Sequence, residues 1–251
     1  MAGIKIVDLK KSFQVEKKSL PVLTGVNLSL PGQQITMILG RSGCGKTTLL
    51  RLAGGLETPD SGQILYDDTE AADPGHASCG PSRRMAFVFQ EPRLMPWLTV
   101  EGNIGFGLSR KEKKDSREHI RKIILAAGLE GFEKAYPSQL SGGMKQRTAL
   151  ARALAFRPSF IMMDEPFAAL DYFTREQMQQ ELLRVQEAEH CSILFVTHSI
   201  DEALLLADQI VILKQGTVKA LYPVTAPKQD RNLLDPEFIS LKKNLLKDLD
   251  Q

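Results

Sequence analysis

Residues 35–56 read ITMILGRSGCGKTTLLRLAGGL, and the centre of that stretch fits G-x-x-x-x-G-K-[ST], the phosphate-binding loop. ITMILG is short, apolar and partly β-branched, so it reads as a buried strand. TTLLRLAGGL reads as a helix that ends at glycines. Strand, loop and helix are the context the motif requires; a bare glycine-rich turn has neither flank. Gly40, Gly43 and Gly45 let the backbone curl until successive N–H groups face one concavity. A helix that starts at about Lys46 adds its positive end to the same anion. The expected phosphate site is therefore the whole run Gly40, Arg41, Ser42, Gly43, Cys44, Gly45, Lys46, Thr47 and Thr48. Lys46 reaches the β- and γ-phosphates of a nucleoside triphosphate, and the Thr47 hydroxyl is placed for Mg²⁺.

A second stretch, PSFIMMDEP at 158–166, is an apolar run that ends in Asp164 and Glu165. It reads as a buried strand delivering two carboxylates to its C-terminal edge, where ligands bind in open α/β sheets. Asp164 is expected to hold Mg²⁺ through water, and Glu165 to be the general base that polarises the attacking water. Many buried strands end in an acid. What raises this one is its order after a phosphate loop.

Further motifs follow in a fixed order. LSGGMKQR occupies 140–147, VFQEP contains Gln90, AALD ends at Asp171, FVTHS contains His198 and KSFQV contains Phe13. Together they resemble the ATP-binding-cassette ATPases, and the resemblance covers most of the chain. LSGGMKQR resembles that family's signature motif, which other phosphate-loop ATPases lack. The resemblance implies ATP and Mg²⁺ as cofactors. It makes Gln90 the Q-loop glutamine that ligates Mg²⁺ or orients water, Asp171 the D-loop acid and His198 the switch histidine. Phe13 sits where the family places an aromatic on adenine; a core role stays open for it. Ser141, Gly142 and Gly143 precede MKQRTALARAL, a predicted helix whose N-terminal end again offers N–H groups to an anion. In the family this loop meets the γ-phosphate held by a second copy, which implies a head-to-tail dimer with two shared ATP sites.

The stretch EPRLMPWLTVEGNIGFGL at 91–108 resembles the nitrate/sulfonate/taurine importer ATPases, as do DYFTREQMQQELL at 171–183 and DPEFISLKKNLL at 235–246. That subgroup implies integral-membrane permease subunits as partners, with an extracytoplasmic solute-binding protein acting indirectly, and a peripheral place on the cytoplasmic face of the inner membrane. Trp97, the single Trp, is either an anchor in the permease groove or a core residue. Departures from the subgroup are Ala168, where Gly is usual, Ser199, where Asp usually follows the histidine, and an unmatched loop at 69–83. A soluble cassette for DNA repair or translation is the alternative, and a cassette of an exporter or lipid transporter is another. The first usually carries a long coiled-coil insertion or two cassettes per chain, and neither is visible. The Q-loop stretch argues against the second.

Length and composition agree. The chain has 251 residues, 43% of them hydrophobic, which suits one α/β domain or a core with a subdomain. A formal net charge of +2 gives no reason to expect nucleic acid. No apolar run approaches the ~20 residues of a membrane span, and the opening MAGIKIVDLK has no apolar signal region. Cys44, Cys79 and Cys191 have no metal-like spacing, which implies a reduced setting. Cys44, beside Lys46 and a helix start, lies in a setting that lowers a thiol pKa; it is either an oxidation-sensitive site or, the preferred reading, a small residue that fits the loop, and thiol reagents are expected to inhibit in both cases.

The expected fold class is α/β: a phosphate-loop (RecA-like) ATPase core, an antiparallel β subdomain from the strand-rich opening third, and an inserted α-helical subdomain at about 92–156. From 159 strand and helix alternate, which implies a parallel sheet with crossover helices. Residues 1–222 are read as one nucleotide-binding domain. Residues 223–251 are read as a linker and a helix, either for packing or for regulation.

Overall fold

Strand β1 (Ile4–Val15) runs antiparallel to both β2 (Lys18–Leu30) and β4 (Ser61–Tyr66), giving a sheet in the order β2-β1-β4. In the computed structural model the described residues are 3–16, 18–66, 85–109, 112, 116–168 and 170–250. Along β1 the buried positions are Ile4 and Ile6, then Leu9. Strict alternation would turn Leu9 to the other face. A register shift between Ile6 and Leu9, with Asp8 at φ 45°, takes up the odd residue and returns Leu9 to the core. The freed backbone N–H of Asp8 donates to Asn27 Oδ1 at 3.0 Å.

The chain divides into two compact units: Met1–Ser82 with Ser192–Gln251, and Arg83–Cys191. In the first, β3 (Ile35–Leu39) lies between β7 (Ser192–Val196) and β8 (Gln209–Lys214), parallel to both. All five residues of β3 and all five of β7 are buried, as the apolar runs ITMIL and SILFV require of a parallel sheet covered on both faces. β9 (Thr217–Pro223) closes the edge as an antiparallel hairpin with β8; it alternates in burial and was not among the expected strands. Helix α1 (Lys46–Ala53) packs against β7 and β2. Helix α6 (Ile200–Leu206) packs against β3, and α7 (Pro236–Asp250) against α6 and β8.

In the second unit β5 (Met85–Val88) pairs parallel with β6 (Phe160–Asp164). Around them lie α2 (Val100–Ile104), α3 (Arg117–Ala126), α4 (Gly142–Ala155) and α5 (Tyr172–Glu189). Helix α4 touches α2, α3, α5 and β5, and its buried alanines (Ala149, Ala151, Ala153, Ala155), spread around the helix, allow that close approach on several sides. The α/β class with antiparallel and parallel sheets is as expected. The unmatched loop at 69–83 and Cys79 lie outside the described residues. The segment between β9 and α7 is pinned: Arg231 is buried and its guanidinium donates to the carbonyls of Leu204, Leu205, Val224 and Ala226. No helix among the described residues is long and apolar enough to cross a membrane.

Candidate functional site

Lys46 is only 8% exposed, and its ammonium donates to Gly40 O at 2.8 Å and Arg41 O at 3.1 Å. The loop therefore folds around its own lysine. Gly45 has φ 104° and caps α1; a Cβ there would come within 2.8 Å of Leu23 Cδ2 and 3.0 Å of Val22 O, so β2 presses on the loop. Gly40 is pressed equally hard, since a Cβ would meet Leu213 O at 2.4 Å and Cys44 Sγ at 2.5 Å. Both glycines are fixed by close approach of neighbouring strands. Arg41, Ser42 and Gly43 are exposed, Thr47 and Thr48 half-buried. Helix α1 starts at Lys46 as expected, so its free N–H groups face the concavity.

Cys44 corrects one expectation. Burial pushes its thiol up from the ordinary value, and this outweighs the opposing pull of the Lys46 ammonium and the backbone N–H groups. A raised pKa means less thiolate at neutral pH. Maleimide labelling of Cys44 should be slower than that of an unburied thiol at pH 7.5 and rise about tenfold per pH unit below its pKa. Cys191, buried and pushed up to about 11, should stay unlabelled. Peptide mapping by mass spectrometry reads both; fast labelling of Cys44 at pH 7 would contradict the assignment.

His198 stands exposed in the turn from β7 to α6. The turn is braced on both sides: Thr197 Oγ1 donates to Glu202, Ser199 N donates to Thr197 Oγ1 at 3.1 Å, and Ser199 Oγ accepts from Glu202 N at 3.3 Å. Ser199 thus caps α6, a task Ser performs as well as Asp, which accounts for that departure. Phe13 is half-buried near the β1–β2 turn, opposite Leu20, with the Lys11 ammonium 5.4 Å from its ring centroid.

In the second unit, Asp164 ends β6 half-buried and Glu165 follows at φ 44°. A left-handed backbone at a non-glycine residue is a strained arrangement that clusters at functional sites. Gln90 is exposed two residues past β5. Its flanks are tied to α4, where Gln146 Nε2 donates to Phe89 O at 3.4 Å and Arg152 donates to Pro92 O at 3.0 Å and Arg93 O at 2.8 Å. Arg93, at φ 44°, turns its guanidinium over the Phe89 ring at 4.4 Å. These supports were missed in the sequence, although polar residues on the inner face of α4 were a visible signal.

Ser141 caps α4 through Met144 N at 3.2 Å, as expected for the signature loop, and Ser141 and Gly142 are exposed. Gly143 lies against α5: a Cβ would sit 3.0 Å from Thr174 Cγ2. Asp171 caps that same helix, accepting from Thr174 N at 3.1 Å and Thr174 Oγ1 at 2.7 Å, and these bonds hold its carboxyl below the usual range. The fold thus brings the signature glycine and the Asp171 turn together on Thr174.

Asn103 is a positioning residue that sequence reasoning missed. It is fully buried; Oδ1 accepts from Met95 N at 2.8 Å, and Nδ2 donates to the carbonyls of Met95, Leu98 and Thr99 at 3.0–3.2 Å. The loop it organises carries Trp97, which is 68% exposed and so has no core role. Asn103→Ala strips these partners from buried backbone groups and should lower unfolding free energy by roughly 2–4 kcal/mol, read by urea denaturation. A loss below about 0.5 kcal/mol, within the range of ordinary surface changes, would deny it this role.

The ABC transporter family model matches residues 23–168. An uncharacterized ABC transporter ATP-binding protein of Methanocaldococcus jannaschii is 42% identical over 98% of this chain and 91% of its own length. An aliphatic sulfonates import ATP-binding protein of Bacillus cereus is 38% identical over 99% of this chain and 96% of its own. Among solved structures, a dimeric ATP-binding cassette in a post-hydrolysis state with ADP and Pi matches with TM-score 0.74 and 31% identity, covering 89% of this chain and all of that one. The cassette cbiO1 of Clostridium perfringens, part of an ABC transporter complex, matches with TM-score 0.76 and 26% identity, covering 96% and 94%.

Proposed function

The chain belongs to the ABC transporter family, and on that premise we propose that it drives uptake of a small solute of the nitrate, sulfonate or taurine class through membrane permease subunits. It is an ATP-binding protein and an ATPase. The working form is a head-to-tail dimer, peripheral to the cytoplasmic face of the membrane, with a solute-binding protein acting at the far side. The observation that carries this reading is the phosphate loop closed on its own lysine; the importer assignment is supported by the full-length likeness to the sulfonate import protein.

ATP fits the loop because the start of α1 at Lys46 offers free backbone N–H groups to an anion, with one ammonium beside them. Thr47, Asp164 and Gln90 are hard oxygen donors of the kind Mg²⁺ takes. Mg²⁺ would neutralise charge that develops on the β- and γ-phosphates. Lys46 does the same from the loop. Glu165 accepts the proton of the attacking water, and His198 orients the γ-phosphate group. Phe13 stacks on adenine. Ser141, Gly142 and Gly143 hold the γ-phosphate bound by the other copy, and Asp171 shapes the adjoining turn. Loss of the γ-phosphate then releases the two copies from each other.

The test is reconstitution of the chain with the permease and binding protein encoded beside it, followed by ATPase rates against a panel of small anions. Stimulation by one solute, reduced in Trp97→Ala with basal turnover kept, is the expected result. Basal ATPase without a co-purifying permease and without stimulation would overturn the importer reading in favour of a soluble cassette.

A further inference from the structure

Helix α7 ends beside the phosphate loop. Asp250 Oδ1 accepts from the Arg41 guanidinium at 2.9 Å, across 209 residues of sequence. Leu249, next to it, lines a cavity of about 280 Å³ together with Arg41, Cys44, Leu213 and Lys214. An exposed ion pair holds little by itself. Here the helix is placed by other contacts. Phe238 and Leu245 are buried, Tyr222 donates to Asp248 at 2.7 Å, and Lys242 pairs with Asp201 of α6, three residues after His198. The tip of α7 therefore sits at the loop whether or not Arg41 answers it.

We infer that Asp250 is a positioning residue of the nucleotide site: it holds Arg41 and competes with the phosphates of the nucleotide for that guanidinium. The inference rests on the phosphate-loop reading and adds to it a residue outside every motif. Arg41 and Lys46 are the two cationic side chains of the loop. A carboxylate in contact with Arg41 cancels one of them, so an arriving triphosphate meets a weaker attraction until Arg41 lets go. The coupling is reciprocal: bound nucleotide loosens the α7 tip as much as the tip weakens nucleotide binding. Because the pair is exposed, with side chains 68% and 75% accessible, salt screens the effect.

The test is ATP affinity of the full chain, read with a fluorescent ATP analogue at low and at high salt. Asp250→Asn should tighten binding about two- to fivefold at low ionic strength and much less at about 0.5 M salt. Asp250→Glu should behave as the unaltered chain. In an Arg41→Met background Asp250→Asn should have no effect, a result that a purely structural role for the α7 tip would not produce. Unchanged affinity in Asp250→Asn at low salt, or the same change with and without Arg41, overturns the inference. If the unaltered chain binds no ATP at all, the phosphate-loop reading fails with it, and the two failures are distinct.

Discussion

Lys46→Met lowers kcat/KM for ATP hydrolysis by about 10²–10³-fold or more, the range seen when one preorganised charge-stabilising donor is removed from a transition state. The ammonium is already held at the loop, 8% exposed and bonded to Gly40 O and Arg41 O, so its charge is in place before phosphate arrives and a third N–H is left to donate. Met keeps the stem volume and removes the charge. The carbonyls of Gly40 and Arg41 lose their donor, so unfolding free energy should fall by about 1–3 kcal/mol while the fold survives. Lys46→Arg should not rescue, since a planar guanidinium cannot reproduce the buried point contact of the ammonium with Gly40 O and Arg41 O. Steady-state phosphate release and a thermal melt measure the two sides. Turnover within tenfold of the unaltered chain would show that Lys46 is a strut of the loop only.

Glu165→Gln has the second large effect: kcat falls about 10²–10⁴-fold while ATP still binds. Without hydrolysis the ATP-bound dimer should accumulate, and size-exclusion chromatography with MgATP should show it. The swap is close to isosteric, and Gln meets the φ of 44° no differently from Glu, so the loss is chemical. A control separates the strain from the chemistry. Glu165→Gly should also be inactive, yet gain up to roughly 1 kcal/mol of stability, because glycine adopts that φ freely. Normal turnover in Glu165→Gln would refute its role as the base.

How much of this was legible in the sequence varies by element. ITMIL and FIMMD were read as buried strands, and each is one, because a short run that is almost wholly apolar is buried most completely as a strand covered on both faces. The start of α1 at Lys46 and the Ser141 cap followed from local rules about glycine and serine. The β9 edge strand was missed because its alternation KALYP sits behind a GT turn and carries no long apolar run. Cys44 went the other way from expectation, since neighbours along the chain suggested an activated thiol and burial decided otherwise.

The chain by itself determined the chemistry: which residues make a phosphate cradle, which end a strand in carboxylates, which cap the signature helix. Those rest on interactions between near neighbours in the chain, none longer than the six residues from Lys46 to Gly40 O, where spacing and side-chain type are sufficient. Only the tertiary structure decided what supports them. Asn103 under the Trp97 loop, Arg152 behind Gln90, Thr174 between Gly143 and Asp171, and Asp250 on Arg41 are contacts between distant segments. A polar side chain looks the same in a sequence whether it faces water or a buried carbonyl. Its partner exists only once the strands and helices have packed.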